Sequence, residues 1–133
     1  MSRSRQGDCT RADARIRLGH AEQYLAVSEL AFSPHGGPEA TIATGNAVLA
    51  GVAAADAICC VLVGLRHRGT DHRGAADFLA EVTGDRQLGR QLRELIDFKD
   101  LAHYGVENIR TQRAKAALRR ARTLVEAARS AIA

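Results

Sequence analysis

Residues 47–65 form an almost unbroken apolar run, which restricts the possible folds of this chain more than any other feature. Asp56 is the only charged residue in the run, and Ala, Val, Gly and Cys make up most of it. A helix that is apolar on all sides is buried among other helices or spans a membrane. A carboxylate near the centre costs about 2.5–3.5 kcal/mol on insertion, which disfavours the membrane. We therefore predict a central core helix from about Glu39 to Leu65 in a soluble protein, without membrane association.

Amphipathic helical segments precede and follow this run. Apolar residues recur in them at intervals of three and four residues, the spacing of one helix face. No segment shows the sustained alternation of a half-buried strand. We therefore predict an all-α fold, an antiparallel bundle of four to five helices. Besides the core helix, these are Arg11–Phe32, a short helix that ends at Gly84, a helix from Asp85 to about Tyr104, and a last helix with Thr111 as its N-cap.

The length of 133 residues is that of one domain. We expect a flexible N-terminus at residues 1–10 and a single helical domain at residues 11–133. The N-terminus has basic residues but no apolar run after them, so we expect no secretory signal and a cytoplasmic location. The three cysteines lack metal-ligand spacing. We expect reduced thiols, no bound metal and no cofactor.

Residues 98–105 contain the densest group of functional residue types. Lys99 and His103 are four residues apart and share one helix face, while Asp100 and Tyr104 share the neighbouring face. A cation beside an imidazole can hold a phosphate and move a proton, as RNA cleavage through its own 2′-hydroxyl requires. In the alternative structural interpretation, Lys99 and His103 are the polar end of the inward-facing apolar stripe of this helix, and Tyr104 packs its ring at the helix terminus.

Asp56 and Asn46 are candidate buried polar residues of the core helix. A carboxylate in an apolar helix must be paired, protonated or part of a functional surface. Its predicted partners are Arg or His residues from another helix, including Arg93 and His103. A purely structural ion pair is the simpler interpretation. Asn46 lies near enough to the helix start for ordinary exposure to explain it.

Residues 66–73, between the second and third helices, form a predicted basic corner. A metal site is not expected there, because carboxylate or cysteine ligands at matching spacing are missing. Contact with phosphate or RNA fits the charge of this corner, and a solvated loop is the alternative.

From Gly105 to Ala133 the chain carries seven basic residues against two acidic ones, so charge is also segregated along the sequence. The candidate phosphate or RNA contacts are Arg66, Arg68, His72, Arg73 and Arg93.

From Arg11 to Ala133 the order of these features resembles the HEPN superfamily. These small helical bundles are found beside nucleotidyltransferases, in toxin–antitoxin pairs and in antiviral ribonucleases. The resemblance includes the Ala-rich segment 46–57 and the turn at residues 71–74. Its most telling part is a closing pattern before an Ala-rich helix, consisting of Leu92, Leu95, Asp97, Lys99, Asp100, Ala102, Tyr104 and Gly105. The resemblance implies a HEPN-like bundle that forms a homodimer.

Active HEPN ribonucleases carry an Arg, a polar residue and a His, with four to six residues between the Arg and the His. In this sequence Lys99 stands at the Arg position and Asp100 matches the polar position. His103 follows Lys99 after only three residues, and Tyr104 occupies the four-residue spacing. Arg93 precedes His103 by nine intervening residues, which is too many. The pattern resembles the non-nucleolytic branches of the family, in which a Tyr occurs at that place.

Two functions follow from this resemblance. The first is a binding module that pairs with itself and with a nucleotidyltransferase or a cognate toxin or antitoxin, with RNA or a nucleotide as a further ligand. The second is a metal-independent endoribonuclease with His103 as general acid or base, Lys99 and Arg93 on the phosphate, and Asp100 or Tyr104 for orientation. A third hypothesis keeps the helical pattern without the family, because bundles host many unrelated functions.

Overall fold

In a computed structural model of the chain, residues 6–68 and 72–133 are described. The fold is mostly helical, as predicted, with one small antiparallel sheet added. The all-α class is confirmed. The helices are α1 (Arg11–Ala31), α2 (Pro38–Val63), α3 (His72–Thr83), α4 (Arg86–Ile96), α5 (Lys99–Tyr104) and α6 (Thr111–Ile132), and the strands are β1 (Gln6–Asp8) and β2 (Leu65–His67).

The apolar run lies in α2, which is the central helix of the bundle. It packs against every other helix. Its length and apolar composition would allow it to cross a membrane, but most of its apolar window is buried inside the protein. Buried hydroxyls beside it are satisfied, because Ser28 Oγ donates to the Ala43 carbonyl at 2.6 Å and Thr44 Oγ1 donates to the Ala40 carbonyl at 2.8 Å. These findings support a core helix in a soluble protein.

The ends of α2 are set by its proline and glycine. Pro38 occupies the first turn, where its fixed φ and missing N–H suit a helix start. Gly64 has φ 68° and caps the helix in the left-handed conformation. The helix therefore ends before Leu65, where the sequence placed its last residue, and Leu65 begins β2.

The N-terminal segment is tied to the end of α2 by β1. This strand pairs antiparallel with β2, so that Asp8 lies opposite Leu65, and the Cys9 amide donates to the Gly64 carbonyl at 2.9 Å. Thr10 then caps α1 through a capping box with Asp13. The N-terminus that the sequence predicts as flexible is thus ordered from residue 6 onwards, while residues 1–5 lie outside the described part.

The strand pairing brings two cysteines together. The Cα atoms of Cys9 and Cys60 are 5.5 Å apart, and the two residues form a disulfide. Cys59 is a buried free thiol. The prediction of reduced thiols is therefore wrong for Cys9 and Cys60, because the short strand that places Cys9 beside α2 was not foreseen.

The helix predicted from Asp85 to Tyr104 is divided into α4 and α5. Asp85 caps α4 by accepting hydrogen bonds from the amides of Gln87 and Leu88. At the other end the Phe98 amide donates to the Leu95 carbonyl at 3.1 Å, a three-residue step that interrupts the helical ladder. The buried face of α4 therefore does not continue into α5, none of whose residues is buried.

Candidate functional site

The four residues predicted as a catalytic set all lie on α5. Lys99 and Asp100 belong to its first turn, and His103 and Tyr104 to its last. Lys99 is half-buried, the other three are exposed, and Tyr104 is 76% exposed. Lys99 and His103 do not continue the buried stripe of α4, because α5 starts anew after the break at Phe98 and has no buried residue. The structure brings the four residues together on an open surface of the chain.

The imidazole of His103 lies against α2 at Gly45. A Cβ atom placed on Gly45 would be 3.2 Å from Cε1 and 3.4 Å from Nε2 of His103. The same Cβ would lie 3.7 Å from the Cβ of Ala102. Glycine at this position therefore allows α5 to approach α2 closely, and the imidazole of His103 packs directly against the backbone of α2.

The two helices that form this contact also carry exposed apolar side chains. On α2, Ile42 and Leu49 are seven residues apart and so lie on one side of the helix, with Gly45 between them. They are 53% and 37% exposed. The name α2–α5 face is used for five exposed apolar residues of α2, α5 and the following turn: Ile42, Leu49, Leu101, Tyr104 and Val106. Leu62 and Val63 are also exposed but lie at the C-terminal end of α2, and they are not included.

Asn46 lies on α2 between Ile42 and Leu49. Its Nδ2 atom donates to the Ile42 carbonyl at 3.0 Å, and the residue is half-buried. The prediction of a buried polar residue is wrong for Asn46, because its amide bonds within its own helix at the surface. It places one polar group within the α2–α5 face.

Asp56 is buried, and its partner comes from α1. The Nε and Nη2 atoms of Arg17 each lie 3.0 Å from Asp56 Oδ2, and Nη1 of Arg66 lies 3.9 Å from the same oxygen. Side-chain exposure is 10% for Asp56 and 26% for Arg17. The prediction of an arginine partner from another helix is therefore confirmed, while the two residues named for it, Arg93 and His103, are wrong.

Sequence reasoning missed Arg17 because nothing in the spacing reveals which residue of α1 meets Asp56. A signal was nevertheless present. Arg17 is four residues before Ala21 and eleven before Ser28, both of which are buried. It therefore lies on the α2-facing side of α1, where a charged residue needs a partner.

Burial dominates the electrostatics of this region. It raises the pKa of the Asp56 carboxyl above its ordinary value, although the charges of Arg17, Arg66 and His67 act in the opposite direction. Burial, with a further contribution from the negative charge of Asp56, also raises the pKa of the Cys59 thiol to about 12. Cys59 is therefore not an activated nucleophile.

A cleft opens above Asp56, and we call it the Asp56 cleft. It has a volume of about 400 Å³ and is lined by Arg17, Val52, Asp56, Arg66, His67, Arg68 and Ala75. The stem of Arg68 runs across Gly7 of β1, where an added Cβ would contact Arg68 Cδ and lie 3.1 Å from its Cγ. The structure therefore gathers Arg66 and Arg68 of the predicted basic corner with Arg17. The side chains of His72 and Arg73, also predicted there, lie outside the described part of the structure.

Arg93 belongs to a different region. Its Nη2 atom lies 3.2 Å from Asp77 Oδ1, and the residue lines a groove of about 310 Å³ formed by α3 and α4. Neither α5 nor the Asp56 cleft contributes to this groove. The structure therefore does not join Arg93 to the residues of α5.

The segregated charge of the last helix is partly neutralised by α1. Arg122 pairs with Glu29 at 3.1 Å, and Arg129 pairs with Glu22 at 3.0 Å. Surface pairs of this kind contribute little stability, but they reduce the positive field along α6. A nucleic-acid contact along this helix is accordingly less favoured than the sequence suggested.

No known protein family has a model that matches this sequence. A search of curated proteins also returns no significant match. Within residues 6–68 and 72–133, no group of three or more His, Cys, Asp or Glu side chains is arranged to hold a metal ion. Functional inference therefore rests on the residues of the two regions just described.

Proposed function

We propose that this chain is a HEPN-like helical binding module and one component of a toxin–antitoxin or nucleotidyltransferase-associated defence pair. The all-α bundle agrees with the fold that the resemblance implies, but it is shared by many unrelated proteins. The observation that carries the proposal is the α2–α5 face, on which apolar side chains remain exposed around the segment that resembles the HEPN closing pattern. Apolar patches rimmed by polar residues mark interaction sites.

We assign this face to a second copy of the chain. The whole protein carries a net charge of +4, so the net charges of two copies repel each other. Between Glu39 and Asp56, however, α2 has no charged residue. A twofold axis would bring the same uncharged patch of both copies together, burying Ile42 and Leu49 without opposing like charges. The cognate toxin, antitoxin or nucleotidyltransferase would then bind the dimer elsewhere.

Binding is favoured over catalysis by the surroundings of α5. Metal-independent RNA cleavage requires donors arranged around the scissile phosphate in a partly water-excluded site. In one copy of this chain Asp100, His103 and Tyr104 are exposed, and Arg93 is engaged elsewhere. RNA or a nucleotide is accordingly proposed as a ligand and not as a substrate.

An endoribonuclease is the second candidate because the imidazole of His103 packs against Gly45 next to the α2–α5 face. A dimer formed through this face would carry His103 from both copies near one interface. Lys99 would then contact the phosphate, and Asp100 or Tyr104 would orient the imidazole. This alternative depends on the dimer to supply the cleft that the single chain lacks.

A cytoplasmic location belongs to the same proposal. Toxin–antitoxin components act on cytoplasmic targets, and the buried α2 supports a soluble chain. The Cys9–Cys60 disulfide is the feature that weighs against it, because disulfides in reducing compartments are rare. Non-reducing mass spectrometry of protein alkylated during lysis measures the state of these two cysteines in the cell.

A growth experiment tests the proposed pairing. The chain and the product of the neighbouring gene are expressed separately and together from inducible promoters. We expect one of them alone to arrest growth and co-expression to restore it, with both proteins copurifying. Normal growth under all conditions, together with no copurification, would refute the pair.

The dimer is tested by light scattering across micromolar concentrations. We expect the wild type to be a dimer and Leu49→Glu to be a monomer, because the variant places a charge in the uncharged interface. Leu62→Glu is the matched control, since Leu62 is also an exposed leucine of α2, 50% exposed, outside the α2–α5 face. Helical circular dichroism confirms that both variants fold. A wild-type monomer at 100 micromolar, roughly a hundredfold above a typical micromolar Kd, would exclude this interface.

A further inference from the structure

We propose that the Asp56 cleft binds a phosphate group, either free or as the terminal phosphate of a small nucleotide. The inference concerns a different region from the α2–α5 face and does not depend on the proposed partner. The cleft gathers three arginines from two separate elements of the chain around one buried carboxylate. Arg17 comes from α1, and Arg66 and Arg68 come from β2 and the residue after it.

Charge is the first argument. The described residues of the lining include Arg17, Arg66 and Arg68 and one carboxylate, that of Asp56. Among these described residues the positive charges exceed the negative charges by two. Arginine presents a planar fork of donors that matches the oxygens of a phosphate, and it keeps its charge at every relevant pH.

The second argument is that Asp56 forms close hydrogen bonds with Arg17 but not with Arg66. All three nitrogen atoms of the Arg17 guanidinium have a partner, because Nε and Nη2 contact Asp56 and Nη1 lies 3.1 Å from His20 Nδ1. Arg66 is only 3.9 Å from the carboxylate, beyond hydrogen-bond distance, and its side chain is 45% exposed. Asp56 therefore anchors Arg17 and attracts Arg66 to the cleft without consuming its donors.

The third argument is the support beneath Arg68. Its stem packs across Gly7 of β1, and the residue lines the cleft. The same strand is fixed to α2 by its pairing with β2 and by the Cys9–Cys60 disulfide. A positioned arginine loses less conformational freedom when it binds an anion than a freely moving one.

The outer side of the cluster limits where the anion can lie. Asp8 and Asp13 line an adjoining cleft of about 470 Å³, together with Arg17 and Arg66. These carboxylates would repel a phosphate on that side. The inner cleft also has a described carboxylate, that of Asp56, but Arg17 already pairs with it at 3.0 Å. The anion is therefore assigned to the inner cleft, between Arg66 and Arg68, with Val52 and Ala75 as its apolar wall. A volume of about 400 Å³ exceeds that of a bare phosphate and leaves space for part of a nucleoside.

Isothermal titration of the full chain with inorganic phosphate and with AMP tests the site, at constant ionic strength maintained with sodium chloride. We expect saturable binding by the wild type. Arg66→Gln and Arg68→Gln should each weaken it about tenfold or more, as the loss of a charge-assisted hydrogen bond implies. Arg119→Gln is the control, because Arg119 is an exposed arginine of α6 and the substitution changes the net charge equally. It should change the Kd less than about twofold.

The outcomes separate the sources of the phosphate and decide the proposal. Tighter binding of AMP identifies a nucleotide, and equal binding of both probes identifies free phosphate. The absence of saturable binding by the wild type at 10 millimolar of either probe, roughly the weakest range of specific sites, would overturn the proposal. An equal loss in Arg119→Gln would overturn it as well, because the effect would then follow from net charge alone.

Discussion

Arg17 holds the carboxylate of Asp56 through two nitrogen atoms, Nε and Nη2, each 3.0 Å from Oδ2. The pair joins α1 to the middle of the central helix. Asp56 is nearly buried, whereas Arg17 is a quarter exposed, so the two residues are not equivalent. Removing the cation leaves a charge inside the protein, while removing the anion leaves a charge that can turn toward water.

Substitution of Arg17 should therefore be more costly than substitution of Asp56. We expect Arg17→Gln to lower the free energy of unfolding by about 1–3 kcal/mol, since it leaves a buried acceptor poorly satisfied. Asp56→Asn should lower it by less, because an amide oxygen can still accept from Arg17. Urea denaturation followed by circular dichroism at pH 7 measures both changes. A larger loss in Asp56→Asn would show that the ion pair itself is strongly stabilising.

The pH dependence of this pair follows from burial. Because burial raises the folded-state pKa of Asp56 above its ordinary value of 3.8, the folded protein holds this proton more tightly than the unfolded chain. The stability that comes from this tighter proton binding is fully present below pH 3.8. It is lost as the pH rises through the folded-state pKa of Asp56. The unfolding free energy of the wild type minus that of Asp56→Asn should therefore fall between pH 4 and pH 7. An increase over this range would mean that Arg17 outweighs burial.

The three cysteines should differ sharply in reactivity. With a pKa of about 12, the thiol of Cys59 has roughly a thousandfold less thiolate at pH 8 than an ordinary cysteine. Iodoacetamide should add no label to the native protein, one label after unfolding and three after unfolding with reduction. Mass spectrometry counts the labels. Three labels without a reductant would show that the Cys9–Cys60 disulfide is absent in solution.

Two helical glycines should respond oppositely to alanine. A Cβ on Gly51 would collide with Leu95 and lie 3.2 Å from Leu124 Cδ1, both in the core, whereas a Cβ on Gly19 would meet nothing within 4 Å. Gly51→Ala should destabilise the protein by about 1–3 kcal/mol through overpacking. Gly19→Ala should stabilise it by about 0.5–1 kcal/mol because alanine favours the helix. Urea denaturation measures the free energy of unfolding of both variants. A Gly51→Ala variant as stable as the wild type would disprove the tight packing of α2.

RNA incubated with the protein in EDTA distinguishes the two functions proposed for α5. We expect no cleavage by the wild type, because the residues that would act on the phosphate lie on an open helix without Arg93. His103→Ala is the control for contamination by other nucleases. Cleavage by the wild type that disappears in His103→Ala would instead establish a metal-independent ribonuclease and displace the binding module.

The helices were largely predictable from the sequence because their apolar periodicity is strong. Pro38, Gly84 and Gly105 mark helix ends in the sequence as they do in the structure, while α2 ends at Gly64, one residue before its predicted end at Leu65. The break between α4 and α5 was not predictable, since residues 97 and 98 contain neither Gly nor Pro. It changes the position of the proposed catalytic residues from an inward stripe to an exposed helix.

The contacts around Asp56 were harder to foresee than the helices themselves. The sequence showed that this carboxylate needs a partner, but the choice among arginines depends on how α1 aligns with α2. The short strand β1 was also invisible, because three residues carry no periodic signal. Cys9 and Arg68 both obtain their positions from this strand.

The Cys9–Cys60 bond also makes the first two helices a closed loop. The bonded residues are 51 positions apart, and the exposed turn at Pro34 and His35 lies between them. A protease that cuts this turn would therefore leave two fragments joined through sulfur. The nicked protein would gain only the mass of one water molecule under oxidising conditions and would separate into two chains only when a reductant is added.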